Sequence, residues 1–408
     1  MVQPISPVLN TSVSPPADQA AAIKVGIDAS NLRLGGGVTH LVELLAAANP
    51  LDQGIVEVLV WGGDQILDRL PTKPWLTKCM PAKLNGPIWS RVWWQVFCLS
   101  REARKARCDV LFVPGGSYAG SFHPVVTMSQ NLLPFEWSEL SRTRFAIFTF
   151  KMMLLRIVQS WSFGRSEGVI FLTNYAKNAV LKVTGSLRAK TAVIAHGLSK
   201  RFELVNKTQR AISDCSNQDP FELIYVSNID AYKHQLPVLK AVKILRQKGY
   251  PLSISFIGPG QAAYIEKLNQ AIAQIDSQNE WAHYLGQVPY GQLQTYYAKA
   301  DLGIFASSCE TFGIILLEKM ATGLPIVCSK LSSMAEILQD GGLYFHPEKK
   351  DEIANAIEQY LLSPVLQSNK RTISYALAQE YSWEKCADQT FSFLRDIALS
   401  YQVKLVKP

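Results

Sequence analysis

Short apolar runs rich in Val, Ile, Leu and Phe recur along the chain, each bounded by turn residues, with longer stretches of helical spacing between them. In the first half, Ala22–Ile27, Val56–Trp61, Cys108–Val113, Pro124–Met128, Gly168–Leu172 and Thr191–Ile194 read as strands. The triplet Gly35-Gly36-Gly37 follows the first of them and leads into a helix from about Val38 to Ala48. A polar stretch without periodicity separates Phe202 from Pro220, and beyond it the same grammar restarts with Glu222–Val226, Leu252–Ile257, Ala300–Phe305, Pro325–Val327 and Gly342–Phe345. Apolar strands alternating with helices predict an α/β fold, here two Rossmann-like, doubly wound domains facing a central cleft. The length agrees, because 408 residues exceed what one hydrophobic core usually serves. The expected divisions are a mobile tail over 1–21, a first domain over 22–202, a linker over 203–220 and a second domain over 221–382.

Composition narrows the class. Hydrophobic residues make up 48% of the chain, enough for two cores. Seven cysteines form no C-x-x-C pair and no regular spacing, so neither a disulfide framework nor a zinc site is expected and the compartment reads as reducing. The first twenty-odd residues lack the basic and apolar regions of a signal peptide, and no run of about eighteen apolar residues occurs. A cytoplasmic protein is expected. The formal charge is +8, and it is uneven: residues 1–200 hold 21 Lys+Arg against 12 Asp+Glu, giving +9, whereas residues 201–408 hold 20 against 21, giving −1. A negatively charged partner for the first half is implied, whether membrane lipid, a phosphorylated acceptor or nucleic acid, and no nucleic-acid motif accompanies the charge.

Two basic aromatic segments carry that excess. In one, residues 88, 89, 92, 93, 96 and 97 form an apolar helical stripe adjoined by Arg91, Arg101, Arg104, Lys105 and Arg107. The other, Arg142–Arg156, is apolar on nearly every face yet studded with cations, Arg144 among them. Both admit two readings, core helices with solvated cations at their ends or peripheral contact with a membrane on the inner face.

The densest chemistry lies in Ser307-Ser-Cys-Glu-Thr-Phe-Gly-Ile-Ile-Leu-Leu-Glu318. A helix beginning near Thr311 leaves the N–H groups of Phe312, Gly313 and Ile314 unpaired, which suits an anion such as a diphosphate. Glu310 then stands at the mouth of that site. Glu318 follows about 12 Å along the axis and about 80° around it, so both acids address one elongated ligand with the length and polarity of a nucleotide sugar. The competing reading makes Glu310 a helix-terminal acid and Glu318 a solvated one, but apolar Ile314–Leu317 surround Glu318. Gly36 and Gly37 allow close approach of backbone to a phosphate or serve an ordinary tight turn. Lys233 lies beyond the carboxyl end of a strand, where open α/β sheets place ligands, with Ser227 and Asn228 as neutral donors beside it. His196 sits after the last strand of the first domain as a cleft residue or a turn cap, and Ser129, Gln130 and Asn131 follow an earlier strand. Gly258-Pro-Gly-Gln-Ala-Ala263 superficially matches a dinucleotide fingerprint, but its Pro removes a phosphate-facing N–H, and a helix-starting turn is the better reading. No D-x-D and no H-x-x-x-H suggests a metal.

The pair Glu310 and Glu318 resembles the Glu-x7-Glu motif of retaining, family 4 type glycosyltransferases of group 1, which have the GT-B fold. The order of Gly35–Gly37, Val193–Leu198, Leu223–Lys233 and Tyr381–Lys385 around it extends the resemblance over nearly the whole chain. The resemblance implies that residues 383–408 form a helix crossing back to the first domain, and that the glycine loop closes over the donor diphosphate. It also implies that the second domain holds the nucleotide and that no cofactor or metal is needed. In it Glu318 binds ribose hydroxyls, Glu310 binds hydroxyls of the transferred sugar, and Gly313, Ile314 and Lys233 stabilise the leaving diphosphate. Asn228 stands where the family usually has an Arg, His196 where it often has Asn, and the stretch carrying Gln130 and Asn131 lacks the family's His, leaving neutral hydrogen bonding on the acceptor side. The expected function is transfer of a hexose, mannose or glucose among the candidates, from a nucleotide diphosphate sugar to a lipid-linked or membrane-proximal saccharide in cell-surface polysaccharide, lipopolysaccharide or glycolipid synthesis. A non-catalytic nucleotide- or saccharide-binding partner of another transferase is the alternative; an oxidoreductase lacks both its glycine fingerprint and its ribose acid.

Overall fold

The computed structural model describes residues 22–33, 35–141, 146–202 and 209–406. The proposed tail, part of the linker, and Arg142 and Arg144 lie outside the described residues. Two parallel sheets organise the rest. The first has seven strands: β1 Ile23–Asp28, β2 Ile55–Trp61, β3 Leu76–Cys79, β4 Val110–Val113, β5 Val125–Ser129, β6 Gly168–Phe171 and β7 Lys190–Val193, ordered β3-β2-β1-β4-β5-β6-β7. The second has six: β8 Phe221–Val226, β9 Leu252–Ile257, β10 Ala282–Tyr284, β11 Leu302–Phe305, β12 Ile326–Ser329 and β13 Leu343–Phe345, ordered β10-β9-β8-β11-β12-β13. With helices on their faces, both are doubly wound, and β4, β5, β6, β11 and β12 are buried along their whole length. That burial is why the strands read as continuous apolar runs instead of alternating ones.

Two strands escaped the sequence pattern, β3 and β10. Each is the outermost strand on its side of the sheet and pairs with one neighbour only. β3, with the sequence Leu-Thr-Lys-Cys, has no fully buried residue. An edge strand with little burial has no apolar run to announce it.

The basic aromatic stripe also departs from its core reading. Ile88–Trp94 is helical, but Trp89, Trp93 and Phe97 are exposed, Trp89 at 81%, while Trp94, Gln95 and Leu99 turn inward. The helix Ala146–Arg165 behaves alike: Phe150, Leu154, Ile157 and Trp161, at helical spacing, are exposed, and Met152, Gln159 and Phe163 are buried. Neither apolar face is core. No helix of the described residues is long and apolar enough to cross a membrane.

The last helix, Trp383–Val406, packs on β1, β4 and the helix Gly36–Ala47 of the first domain. Ser392 and Arg395 donate to Gln53 Oε1 at 3.0 and 3.1 Å, and Phe393 lies against Gly168. The crossing is tight at Gly197, where a Cβ would lie 2.2 Å from the Trp383 nitrogen. Only glycine allows that approach.

Candidate functional site

In both sheets the strand order reverses beside the first strand, between β1 and β4 and between β8 and β11. At such a switch point the loops leaving neighbouring strands diverge and open a crevice. In the second domain those loops are Ser227–Lys233, after β8, and Ala306–Gly313, after β11. They bring Lys233 and Glu310 together from 77 residues apart, the ammonium donating to Oε1 of the carboxylate. The Lys233 side chain is only 7% exposed, and its stem lies against Tyr232 and Phe305. Tyr225 holds the turn through a hydroxyl bond to the Lys233 carbonyl. Glu310 is fixed by its backbone: its N–H donates to Ser332 Oγ at 2.8 Å, and Ser332 and Ser333 both donate to its carbonyl.

The helix after Glu310 begins later than the sequence suggested. It spans Ile314–Ala321, with Gly313 in the left-handed region (φ 89°) as its cap, a conformation that favours glycine. Leu316 and Leu317 donate back to the Gly313 carbonyl. The N–H groups that the first turn leaves without a helical partner are thus those of Gly313, Ile314 and Ile315. Phe312 falls outside the helix, its side chain buried against His196 and Tyr381. Glu310 and Glu318 therefore do not share one helix; the acid pair joins a loop to a helix.

Glu318 is 2% exposed, with apolar Leu316, Leu317 and Met320 buried around it. Tyr290 donates to its Oε1 at 2.7 Å, and its Oε2 is buried with no partner. Burial pushes its pKa up to about 7, against the opposing pull of the Tyr290 hydroxyl and of Lys319 and Arg201. A buried carboxylate oxygen without a donor is costly to leave unmatched. Lys319, fully buried, donates to the Ile304 carbonyl at 2.7 Å, and burial lowers its pKa to about 7.

The first domain meets this site directly. His196 Nδ1 lies 3.0 Å from His40 Nδ1, and both rings approach Trp383 at 5.7 Å. One ring must carry the proton of that bond and the other accept it, so the pair excludes two charged histidines. Burial lowers His40 to about 4 and His196 well below the usual imidazole range. Thr311 donates to the Gln130 carbonyl at 3.4 Å, and Thr173 donates to the Thr311 carbonyl at 2.8 Å. Glu336, from the helix Met334–Leu338, accepts from the N–H groups of Asn174 and Tyr175 at 2.8 and 2.9 Å and from the Asn174 side chain at 3.0 Å. A carboxylate of the second domain thereby caps the first-domain helix Asn174–Thr184.

Other sequence candidates take the following places. Gly36 and Gly37 form the first turn of the helix Gly36–Ala47, and a Cβ on Gly37 would meet Gln130 Oε1 at 3.2 Å, so the glycine loop and Gln130 adjoin. Ser227 is buried and accepts from Gln235 at 3.0 Å; Asn228 is exposed, its carbonyl taking the second Gln235 bond at 2.9 Å. Asn131 turns its side chain to the Leu133 N–H at 3.2 Å, the work of a turn. Gly258–Ala263 does start a helix, Ala262–Ile275. Sequence reasoning missed His40, Tyr290, Lys319, Thr173 and Glu336. Only Lys319, a charge inside an apolar run, left a sequence signal.

Comparison with known proteins agrees with this geometry. Residues 207–379 match the family described as Glycosyl transferases group 1. Over 233 residues the chain is 28% identical to O-antigen chain mannosyltransferase B of Escherichia coli, a match covering 56% of this chain and 58% of that protein. Among solved structures it resembles sucrose-phosphate synthase from Thermosynechococcus elongatus (TM-score 0.74, 16% identity, 93% of this chain and all of that one). It also resembles Anabaena Alr3699/HepE in complex with UDP and glucose (TM-score 0.67, 19% identity, 91% and 99% covered). The segment that holds Lys233, Glu310 and Glu318 thus matches the group 1 glycosyl transferase family, and the chain as a whole has the GT-B fold.

Proposed function

We propose that the chain is a retaining, metal-independent hexosyltransferase that takes its sugar from a nucleotide diphosphate donor. The observation that carries this reading is the unpartnered Oε2 of Glu318, in the helix that starts at Gly313–Ile315 and on the same loop-helix segment as Glu310, whose carboxylate meets Lys233 from the neighbouring loop. A carboxylate oxygen without a donor suits ribose hydroxyls; unpaired N–H groups and a buried ammonium suit a diphosphate; a second carboxylate suits the hydroxyls of the transferred sugar. The Alr3699/HepE structure, bound to UDP and glucose, supports a donor of this type.

In the structure Lys233 and Glu310 neutralise each other. A bound diphosphate takes over as the counter-charge of Lys233, which frees the Glu310 carboxylate for the sugar. As the glycosidic bond breaks, negative charge grows on the departing phosphate, where Lys233 and the Gly313 and Ile314 N–H groups stabilise it most. With no side chain among the described residues placed as a covalent nucleophile, the acceptor oxygen bonds to the anomeric carbon on the face from which the phosphate leaves, its proton passing to the departing phosphate oxygen, which retains configuration. On this reading His196, Gln130 and the Gly36–Gly37 loop form the first-domain wall of the site. The likeness to an O-antigen chain mannosyltransferase supports a saccharide acceptor, and the exposed Trp89, Trp93, Phe97, Phe150 and Trp161, with Lys83 over the Trp93 ring and Arg165 over Trp161, support work at the inner membrane face on a lipid-linked acceptor.

Incubation with UDP-, GDP- and dTDP-hexoses tests the proposal. One donor is expected to be hydrolysed slowly, with the anomeric configuration kept and the rate unchanged by EDTA. Loss in EDTA with rescue by a divalent cation would overturn the metal-free mechanism, and no binding of any nucleoside diphosphate would overturn the whole reading. Anionic vesicles are expected to retain the protein more than neutral ones, releasing it as salt rises.

A further inference from the structure

Among the described residues, the acid assigned to the ribose has a single hydrogen-bond donor, and that donor is neutral. Tyr290 opens the turn Tyr290–Gln292, after the edge strand β10, and its hydroxyl lies 2.7 Å from Glu318 Oε1. A phenol has one O–H to give and can satisfy one carboxylate oxygen, whereas an arginine fork would occupy both. The choice of donor therefore decides that Oε2 stays open, and Oε2 is the oxygen that is buried without a partner. The nearest buried cation is turned elsewhere, since Lys319 donates to the Ile304 carbonyl.

The phenol itself is held from the other domain. The Arg201 guanidinium lies 4.6 Å from the centre of the Tyr290 ring, and Phe202 packs edge-on to it at 5.6 Å. Arg201 is in turn fixed by Ser199 Oγ at 2.9 Å and by Glu43 Oε1 at 3.2 Å, and Glu43 belongs to the helix that the glycine loop starts. We propose that Tyr290 is a positioning residue for the nucleotide site, its hydroxyl fixing Oε1 of Glu318 so that Oε2 alone faces the ribose, with Arg201 bracing the phenol from the first domain. This rests on the assignment of Glu318 to the ribose.

The titratable and charged groups facing Glu318 are Tyr290, Tyr297 from the next helix, Lys319 and Arg201. The Tyr297 hydroxyl is buried without a partner, so Tyr290 is the phenol that engages the acid. The phenol's hydrogen bond also opposes the effect of burial and favours the ionised acid. Without it, Glu318 takes up its proton at higher pH.

The test is calorimetric titration of the preferred nucleoside diphosphate into wild type, Tyr290→Phe and Glu318→Gln between pH 6.5 and 8.5. Tyr290→Phe keeps the ring under Arg201 and removes one oxygen. Its affinity is expected to fall about tenfold at pH 6.5, with the loss shrinking to about threefold or less at pH 8.5, where the acid is ionised in either protein. Glu318→Gln is expected to bind weakly at every pH, with no such change. A Tyr290→Phe loss that is the same at all pH values would show a merely structural role and overturn the proposal. Weak binding by Glu318→Gln beside unchanged binding by Tyr290→Phe would overturn the role of Tyr290 alone. Wild-type affinity in Glu318→Gln would overturn both this proposal and the ribose assignment beneath it.

Discussion

Glu310 and Glu318 are the same residue type eight positions apart, yet the fold treats them in opposite ways. Glu310 sits in a loop with 18% of its side chain exposed and a full ammonium partner in Lys233. Glu318 sits inside a helix at 2% exposure, with a phenol on one oxygen and nothing on the other. One acid is electrically satisfied and must exchange its partner to work. The other is unsatisfied and waits for one. The first arrangement suits a group that responds as charge develops, the second a group that selects a ligand by its hydroxyls.

The comparison breaks most sharply at Lys233. Lys233→Ala removes the cation proposed to face the leaving phosphate and strands Glu310 without its partner, and turnover is expected to fall roughly 10²-fold or more. Full activity in that variant would detach the pair from the chemistry. Glu310→Ala is expected to lower turnover strongly while calorimetry still finds the nucleoside diphosphate bound, because its proposed contacts are to the sugar. Equal losses of nucleotide affinity in the Glu310 and Glu318 variants would erase the division of labour.

Glu318→Gln is the reciprocal case, expected to weaken nucleotide binding by about 1 to 3 kcal/mol. The same substitution is expected to stabilise the empty protein. The pKa of Glu318 is raised from 4.5 to about 7 in the folded state, so the neutral acid fits the fold, and stability is lost as pH rises through about 7. Thermal melts without ligand should therefore coincide for wild type and Glu318→Gln near pH ~3.5, below the unfolded pKa, and favour the variant near pH 8 by an amount on the order of 1 to 3 kcal/mol. Coincident melts at both pH values would mean that the carboxylate is better solvated than its burial implies. The smallest effect expected is that of Arg201→Gln, which leaves the Tyr290 hydroxyl in place and removes only its brace; nucleotide affinity should fall about two- to threefold.

The parts of this site that were legible in sequence are those a single segment contains. Glu310, Gly313 and Glu318 share one stretch, and Lys233 follows a strand end at a distance that marks a ligand loop. The contacts distant in sequence were not legible. Tyr290 reaches Glu318 across 28 residues, His40 reaches His196 across 156, and Glu336 reaches Asn174 across 162. None of these residues belongs to a pattern that periodicity or turn chemistry would single out. At the level of the fold the same division holds. Strands buried on both faces declared themselves by apolar runs, while β3 and β10, at the sheet edges, did not. The exposed faces of Ile88–Trp94 and Ala146–Arg165 show the converse fault, apolar spacing that reads as core and is turned outward.

The Glu336 cap has a consequence for how the two halves part. A helix normally carries its own terminal partner through any rearrangement, but here half of the terminus, the carboxylate on Asn174 and Tyr175, is lent by the opposite half of the molecule. Widening the gap uncovers a positive helix end on one side and a bare anion on the other in the same movement, and water must reach both before the separation is complete. On the proposed function, release of the spent nucleotide is therefore expected to meet part of its barrier at a helix terminus that the reaction never touches, and turnover is expected to respond to salt through that one acid.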